Sequence, residues 1–308
     1  MNPPPSFSVI VSSYNYQDHV VDAVASALQQ TVPVLQVVVV DDGSTDASLQ
    51  RLHARFDGDA RVQIIAQANA GQLAAWQRGL QACTGDVIAL LDSDDLWHDN
   101  YIATMGRVYQ DHADVDYVYC NLQLFGSRDG LMLSRRRHRH DRDLGLSVVL
   151  GCFAPRWQGV ATTGNTLRRG LFTRILALPP AQVSQWRTRP DDCLFYGADV
   201  LGGHKYYLAQ ALASHREHAR NALLADRSAT ARLRYEVRRE RMLAHYRSQI
   251  DASPRLLTLA KSEFRTKPKP LWSDWWVYCG LAWAAPEGLL RRVGKLVAIS
   301  AHMLRSKV

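Results

Sequence analysis

The chain has 308 residues, 47% of them hydrophobic and 21% charged, a composition that excludes wholesale disorder and collagen-like repeats. Its five cysteines lie far apart with no CxxC pair, which excludes a disulfide scaffold, a zinc ribbon and a thioredoxin-type motif, and fits reduced thiols in the cytoplasm. The net charge of +8 joins unlike halves: residues 1–130 hold six Lys and Arg against sixteen acids, all Asp, and residues 131–308 hold 31 bases against 13 acids. An acidic half invites cations and a basic half invites phosphates.

The start, Met1-Asn2-Pro3-Pro4-Pro5, lacks the basic and long apolar regions of a secretory leader. No run reaches the roughly 18 apolar residues of a spanning helix. Residues 7–11 then form a β-rich run. Over residues 18–30, Val20, Val21, Val24, Ala27 and Leu28 recur at helical spacing. Residues 35–40 are almost unbroken apolar, as in a strand buried on both faces. Asp41-Asp42-Gly43-Ser44 ends that strand, and Ser44 or Thr45 can cap a helix carrying Leu49, Leu52 and Phe56. A third strand is predicted over 62–66, a third helix over 71–83 and a fourth strand over 87–91, running into Asp92-Ser93-Asp94-Asp95. A fourth helix over 100–112 and a fifth strand over 117–125 complete the alternation. Such alternation specifies a mostly parallel sheet with right-handed crossovers. Polar residues cluster at the strand ends, where ligands of open α/β sheets bind. Three separate loops can therefore converge on one site.

Beyond residue 125 the pattern weakens. Residues 134–143 carry five Arg with His138 and His140, and read as a mobile basic loop rather than a metal site, because imidazoles among arginines make a poor cation site. A short helix is expected over 191–203, a strand over 205–209 and a long charged helix over 221–250. Pro254, Pro268 and Pro270 mark a linker. The tail beyond it holds Trp272, Trp275, Trp276 and Trp283.

Three carboxylates within four residues at 92–95 repel one another unless a positive charge sits among them. They offer hard oxygen ligands to Mg²⁺ or Mn²⁺, and such an ion would also bind a diphosphate. The plain alternative is a solvated acidic turn. Asp41 and Asp42, likewise at a strand end, can accept the N–H groups of a nucleobase or simply shape a turn.

Taken together and in order, Ser8 to Asn15, Val37 to Asp46, Asn69-Ala70-Gly71-Gln72 and Gly85 to Asp95 resemble the family-2 glycosyltransferases. The close match covers roughly residues 6–125. The resemblance implies a GT-A type, Rossmann-like, mostly parallel sheet flanked by helices. It also implies a nucleotide-diphosphate-sugar donor, a divalent cation and inversion at the anomeric carbon. By position, Ser12, Tyr14 and Asn15 resemble the first nucleotide-contacting loop, Asp42 the aspartate that reads the base with Asp41 beside it, and Asn69, Gly71 and Gln72 a further donor-binding turn. Asp92 and Asp94 match the DXD acids, with Ser93 between them and Asp95 sharing metal or ribose contact. Ala75-Trp76-Gln77-Arg78-Gly79 departs from the family's Ala-Arg-Asn-x-Gly.

In the second half, Asp191 and Asp192 fit the family's acidic pair at a helix start, where one carboxylate acts as general base. The DxxL spacing to Leu194 favours Asp191 and the paired acids favour Asp192, so both stay open. His215-Arg216-Glu217-His218 resembles the family's Tyr-Arg-x-His ending, with His215 replacing tyrosine. His218 would ligate the metal or meet the leaving diphosphate, and Arg216 would neutralise it.

The expectation is a catalytic domain over 1–220, with a nucleotide-sugar half over 1–125 and an acceptor half over 126–220, followed by a helical basic extension over 221–308. Its activity would be inverting, metal-dependent hexosyl transfer, with a UDP-sugar as donor and a glycan or lipid-linked acceptor, in bacterial cell-surface polysaccharide or glycolipid biosynthesis. The alternative is a catalytically inactive nucleotide-sugar or polyanion-binding protein on the same fold. No nucleic-acid-reading motif accompanies the basic charge, so nucleic acid is not an expected partner. The tryptophan-rich basic tail suits either an interfacial helix at the inner face of the cell membrane or a helix packed on the catalytic domain or on a homodimer partner.

Overall fold

The computed structural model describes residues 3–135, 138–187, 189–217 and 228–306. The chain opens with β1 (Phe7–Ser13), α1 (Val20–Leu28), β2 (Gln36–Asp41), α2 (Ser48–Phe56), β3 (Val62–Ala66), α3 (Gln72–Ala82) and β4 (Val87–Asp92). Next come β5 (Leu96–Trp97), α4 (Tyr101–Asp111), β6 (Tyr117–Gly126), β7 (Gly130–Leu131), β8 (Arg142–Gly145), α5 (Val148–Phe153), β9 (Asn165–Arg168), α6 (Arg169–Leu176), α7 (Pro180–Val183), α8 (Asp191–Val200) and β10 (Lys205–Glu217). The extension contains α9 (Ala229–Ser248), α10 (Ala260–Arg265), α11 (Trp272–Trp283) and α12 (Leu289–Arg305).

One mixed sheet runs in the order β3-β2-β1-β4-β9-β6-β10-β5, with β7 beside β6 and β8 beside β10. Val37 to Val40 of β2 have no exposed surface, as their unbroken apolar run requires of a strand covered on both faces. β1 pairs in parallel with β2 on one side and β4 on the other, so the chain reverses its direction of winding at β1. That reversal makes a crevice at the strands' carboxyl ends. Register then decides which residues line it: Ser13 lies opposite Asp41, and Ser12 lies opposite Asp92.

Several elements differ from the sequence reading. α2 begins at Ser48 after an Ala47 N-cap, so neither Ser44 nor Thr45 caps it, and Asp46 Oδ1 accepts from the Ser48 amide at 2.9 Å. Ser44 instead faces the first loop. β9 enters the sheet between β4 and β6, antiparallel to both. The strand expected over 205–209 continues to Glu217 and carries His215 and Arg216 within the sheet. The end of the basic loop is strand rather than free chain, since β8 pairs with β10, and Asp141 accepts from the Ala209 amide at 2.8 Å. Arg136 and Arg137 lie outside the described residues.

The expected linker is also folded. Pro254–Leu259 is a 3-10 helix leading into α10. Glu263 of α10 accepts from the Val149 and Leu150 amides (2.6 and 3.0 Å) and from the Tyr278 hydroxyl (2.7 Å). It thereby satisfies orphan donors at the N-terminus of α5. Lys267 is buried and donates to the carbonyls of Leu144 and Leu146 and to Ser147. A second apolar cluster, formed by Phe264, Tyr278, Ile299 and Met303 among others, includes Val149 and Leu150 of α5.

Candidate active site

The strand-end loops are joined side chain to backbone in a chain of hydrogen bonds. Asn15 adopts φ +59°, a left-handed conformation that asparagine tolerates better than most residues. Its amide donates to Ser44 Oγ at 2.9 Å, and its Oδ1 accepts from the Thr45 amide at 2.8 Å. The first and second loops are thereby tied. Asp42 Oδ1 accepts from Gln67 Nε2 and the Ala70 amide, and its Oδ2 accepts from the Gly71 amide at 2.8 Å. The third loop is thereby hung on the second. Gly71 has φ +93°, and a Cβ there would meet Arg187 at 3.0 Å, so the turn requires glycine. Gln72 Nε2 then donates to both Ser12 Oγ (3.0 Å) and Asp92 Oδ1 (2.5 Å), closing the ring from the third loop to the first and fourth. Asp42 and the DXD loop therefore share one crevice, as the sequence reading requires.

The acidic residues of this crevice divide by what they have left to offer. Asp42 accepts three hydrogen bonds, most of a carboxylate's capacity. Asp41 uses Oδ2 on the Ser44 amide, while its buried Oδ1 has no partner among the described residues. Asp95 points inward. Its Oδ2 accepts from Thr163 and bonds His215 Nδ1 at 2.8 Å, and its Oδ1 accepts from the Arg216 amide at 2.8 Å. Both Asp95 oxygens are used in bracing the DXD loop against β10, while Asp92 is half-buried and Asp94 buried beside it. Removal from water, and then the charges of Asp95 and Asp94, hold Asp92 well above the usual carboxylate range. Tyr16 donates to Asp94, and burial with these carboxylates raises its pKa.

Positive charge comes from β10. Burial opposes a charged His215, but the hydrogen bond and charge of Asp95, with Asp92 and Asp94 behind it, overcome this and lift its pKa to about 9. Arg216 Nε donates to the Asp94 carbonyl at 3.0 Å, and the guanidinium lies over Phe125 at 4.5 Å. His218 lies outside the described residues. Among those that are described, no set of three carboxylate, imidazole or thiol groups is arranged as a ready metal cage.

At the start of α8 the two aspartates differ. Asp192 is fully buried, 3.3 Å from Arg189, and accepts from the Tyr235 hydroxyl of α9 at 3.0 Å. Asp191 is half-buried, and its carboxylate accepts from the amides of its own turn. Burial and then the neighbouring charge of Asp192 push Asp191 up to about 7, against the lowering effect of Arg189. Asp191 acts electrostatically on Tyr117, whose hydroxyl donates to Asn165 at 2.7 Å. Asn165 lies two residues from Thr163, the partner of Asp95. Arg187 meanwhile donates to Asn69, joining the second half of the chain to the third loop.

Sequence reasoning missed Thr163, Tyr16 and Tyr235. Tyr16 directly follows the Ser12–Asn15 loop and its amide donates to Ser48 Oγ. Thr163 and Tyr235 stand in no recognisable pattern, and the inserted β9 and the packing of α9 bring them in. Trp76 and Gln77, the departure in α3, face the packing side. Trp76 is buried near Phe172, and Gln77 donates to the Leu176 carbonyl.

A sequence profile described as glycosyl transferase family 2 matches residues 8–168. An uncharacterized glycosyltransferase of Nostoc sp. is 33% identical over 232 residues, covering 73% of this chain and 68% of its own length. The Streptococcus pneumoniae glycosyltransferase GlyG is 36% identical over 124 residues, 40% of this chain and 41% of GlyG. The fold is similar to that of S. aureus TarS residues 1–349 in complex with UDP-GlcNAc, with TM-score 0.56 and 17% identity, over 98% of this chain and 89% of that one. The strand order, the hydrogen-bonded crevice and the extent of these matches lead to one assignment: the chain belongs to glycosyl transferase family 2.

Proposed function

We propose that the chain is an inverting hexosyltransferase that moves a sugar from a nucleotide-diphosphate sugar, a UDP-sugar first among them, to an acceptor hydroxyl on a glycan or lipid-linked chain in cell-surface polysaccharide or glycolipid biosynthesis. The observation that carries this is the ring of hydrogen bonds from Asn15 through Asp42 and Gln72 to Asp92. It preorganises four loops around an acidic centre before any ligand arrives. The unpartnered oxygen of Asp41 and the remaining capacity of Asp42 suit a base N–H, with Ser12, Tyr14 and Asn15 as the adjoining wall. That TarS carries UDP-GlcNAc is in keeping with this donor class.

The donor set fits a divalent cation. Asp92 and Asp94 offer hard oxygens in a charge-crowded turn whose carboxylates are expensive to keep ionised together. Mg²⁺ or Mn²⁺ held there would neutralise the donor's diphosphate as its negative charge grows. The chain's own groups supply the remainder. Asp191 takes the proton of the acceptor hydroxyl, whose oxygen then bonds the anomeric carbon as the bond to the diphosphate breaks and its electron pair leaves with the nucleotide. Attack from the face opposite the leaving group inverts the centre. Arg216 and the His215 imidazolium set fixed positive charge on the leaving-group side. Asp192, pinned by Arg189 and Tyr235, orients the first turn of α8.

The direct test is nucleotide release. Purified protein is given a panel of nucleotide sugars with Mn²⁺, and UDP liberation is followed for wild type and Asp94→Ala. Release should fall by about a hundredfold or more in the variant. Equal rates in the two proteins would remove Asp94 from the chemistry. Tight UDP-sugar binding with no release by wild type would favour the binding-only protein.

A further inference from the structure

The last two helices expose more apolar surface than their own packing uses. Helix α11 buries Asp274, Tyr278, Leu281 and Ala282 on one face. Its opposite face presents Trp272, Trp276 and Trp283, all exposed, with Trp276 at 69%. At about 100° per residue these three indoles fall within one narrow stripe. Helix α12 buries Ile299 and Met303, while Leu290, Val293, Val297 and Leu304 stand exposed along another stripe, Leu290 at 89%. Trp275 sits at the seam. Its indole N–H donates to Ser300 at 3.0 Å, and its ring packs edge-on against Trp272 and Trp276. The two stripes thus flank one junction.

Charge says what covers them. The acids of residues 254–306 are Glu263, Asp274 and Glu287, and all three are engaged internally. Glu263 caps α5, Asp274 accepts from the Leu271 amide at 2.8 Å, and Glu287 pairs with Lys295 at 2.6 Å. Arg255, Arg265, Lys269, Arg291 and Arg305 are exposed and form no ion pair among the described residues. Arg255 and Arg291 line one open hollow beside Thr258, Pro286 and Glu287, whose carboxylate is paired with Lys295. A second copy of the chain would bring these like charges face to face, which disfavours self-association. An anionic bilayer surface meets both demands, because indoles settle at headgroup depth and guanidinium groups pair with lipid phosphate. No helix among the described residues is long and apolar enough to cross a membrane, so the contact is lateral.

We propose that α11 and α12 together seat the chain on the surface of an anionic lipid bilayer, the tryptophan and aliphatic stripes entering the interface and Arg255 and Arg291 holding lipid phosphates. The full chain is sedimented with vesicles of phosphatidylcholine alone and of phosphatidylcholine mixed with phosphatidylglycerol. Wild type should pellet with the mixed vesicles and remain in solution with the neutral ones. The double variant Trp276→Gln, Leu290→Gln should lower the partition coefficient about tenfold or more, with circular dichroism and the unfolding midpoint unchanged. Arg255→Gln with Arg291→Gln should weaken binding and flatten its salt dependence. Failure of wild type to pellet with mixed vesicles at low salt overturns the proposal, as does equal pelleting of the apolar double variant. Light scattering that shows a dimer abolished by that variant, without vesicle binding, gives the face to a second copy and overturns it too. None of these readouts depends on glycosyl transfer.

Discussion

Asp191 and Asp192 are adjacent in sequence and unequal in commitment. Asp192 is engaged by Arg189 and Tyr235, whereas the Asp191 carboxylate accepts from the amides of its own turn. Burial and the charge of Asp192 raise Asp191 to about 7. Below that pH it holds its own proton and cannot accept another, so kcat/KM for the acceptor should rise with pH through an ionisation near 7. Asp191→Asn should cost about a hundredfold or more in kcat and abolish that rise, while Asp192→Asn should keep the limb and move it to lower pH, because the charge that raises Asp191 is gone. Stability moves the other way. The unfolded chain releases this proton near the ordinary aspartate value of about 4. Between there and about 7 the native state alone is protonated, so this residue's contribution declines as pH rises through the window. Asp191→Asn should therefore flatten the fall of the thermal midpoint over that range. A variant with full activity and an unchanged pH profile would return the base to Asp192 or to another group.

At the scale of elements, legibility followed locality. β1 to β4 and α1 to α4 could be read because each strand is a short apolar run followed at once by polar residues, whereas the two-residue β5 could not. Ser12, Asp41 and Asp92 could be read for the same reason, as strand ends that parallel register sets side by side. β9 could not. Its four residues, Asn165–Arg168, carry no alternation, and they become a strand only through the open edges of β4 and β6. Thr163, just ahead of it, was hidden with it. The three prolines suggested a linker because local composition says nothing about Glu263 and Lys267 reaching back to α5 and β8. Those two residues make the docking specific, and substituting either should be expensive. Lys267→Met leaves the Leu144 and Leu146 carbonyls and the Ser147 hydroxyl without their buried donor. A loss of about 3 kcal/mol is expected, measured as a drop in urea midpoint. A midpoint within error of wild type would mean that water or a neighbour replaces the ammonium at no cost.

At the scale of the whole molecule, the second half of the chain is threaded through the first. β9 sits between β4 and β6, β10 braces the DXD loop through His215 and Arg216, and Tyr235 of the extension bonds the first turn of α8. The second apolar cluster borrows Val149 and Leu150 from α5, so opening it exposes the α5 amides that Glu263 satisfies. An extension bound this way has little to gain from unfolding alone, because its release leaves buried donors unmet on the body it leaves. The chain should therefore unfold in one cooperative step. Tryptophan supplies the measurement, since Trp76, Trp97 and Trp186 are buried in the body and Trp275 lies in the extension, bonded to Ser300. With Trp157, Trp272, Trp276 and Trp283 replaced by Gln to silence the exposed indoles, two further variants would report the regions separately: one retaining Trp275 as sole fluorophore and one retaining Trp186. Their urea transitions, each compared with far-ultraviolet circular dichroism of the same variant, should coincide with it. A Trp275 transition at distinctly lower urea than its circular dichroism would show that α10 to α12 form a separately stable unit, and that the contacts of Glu263 and Lys267 do not bind the two parts into one.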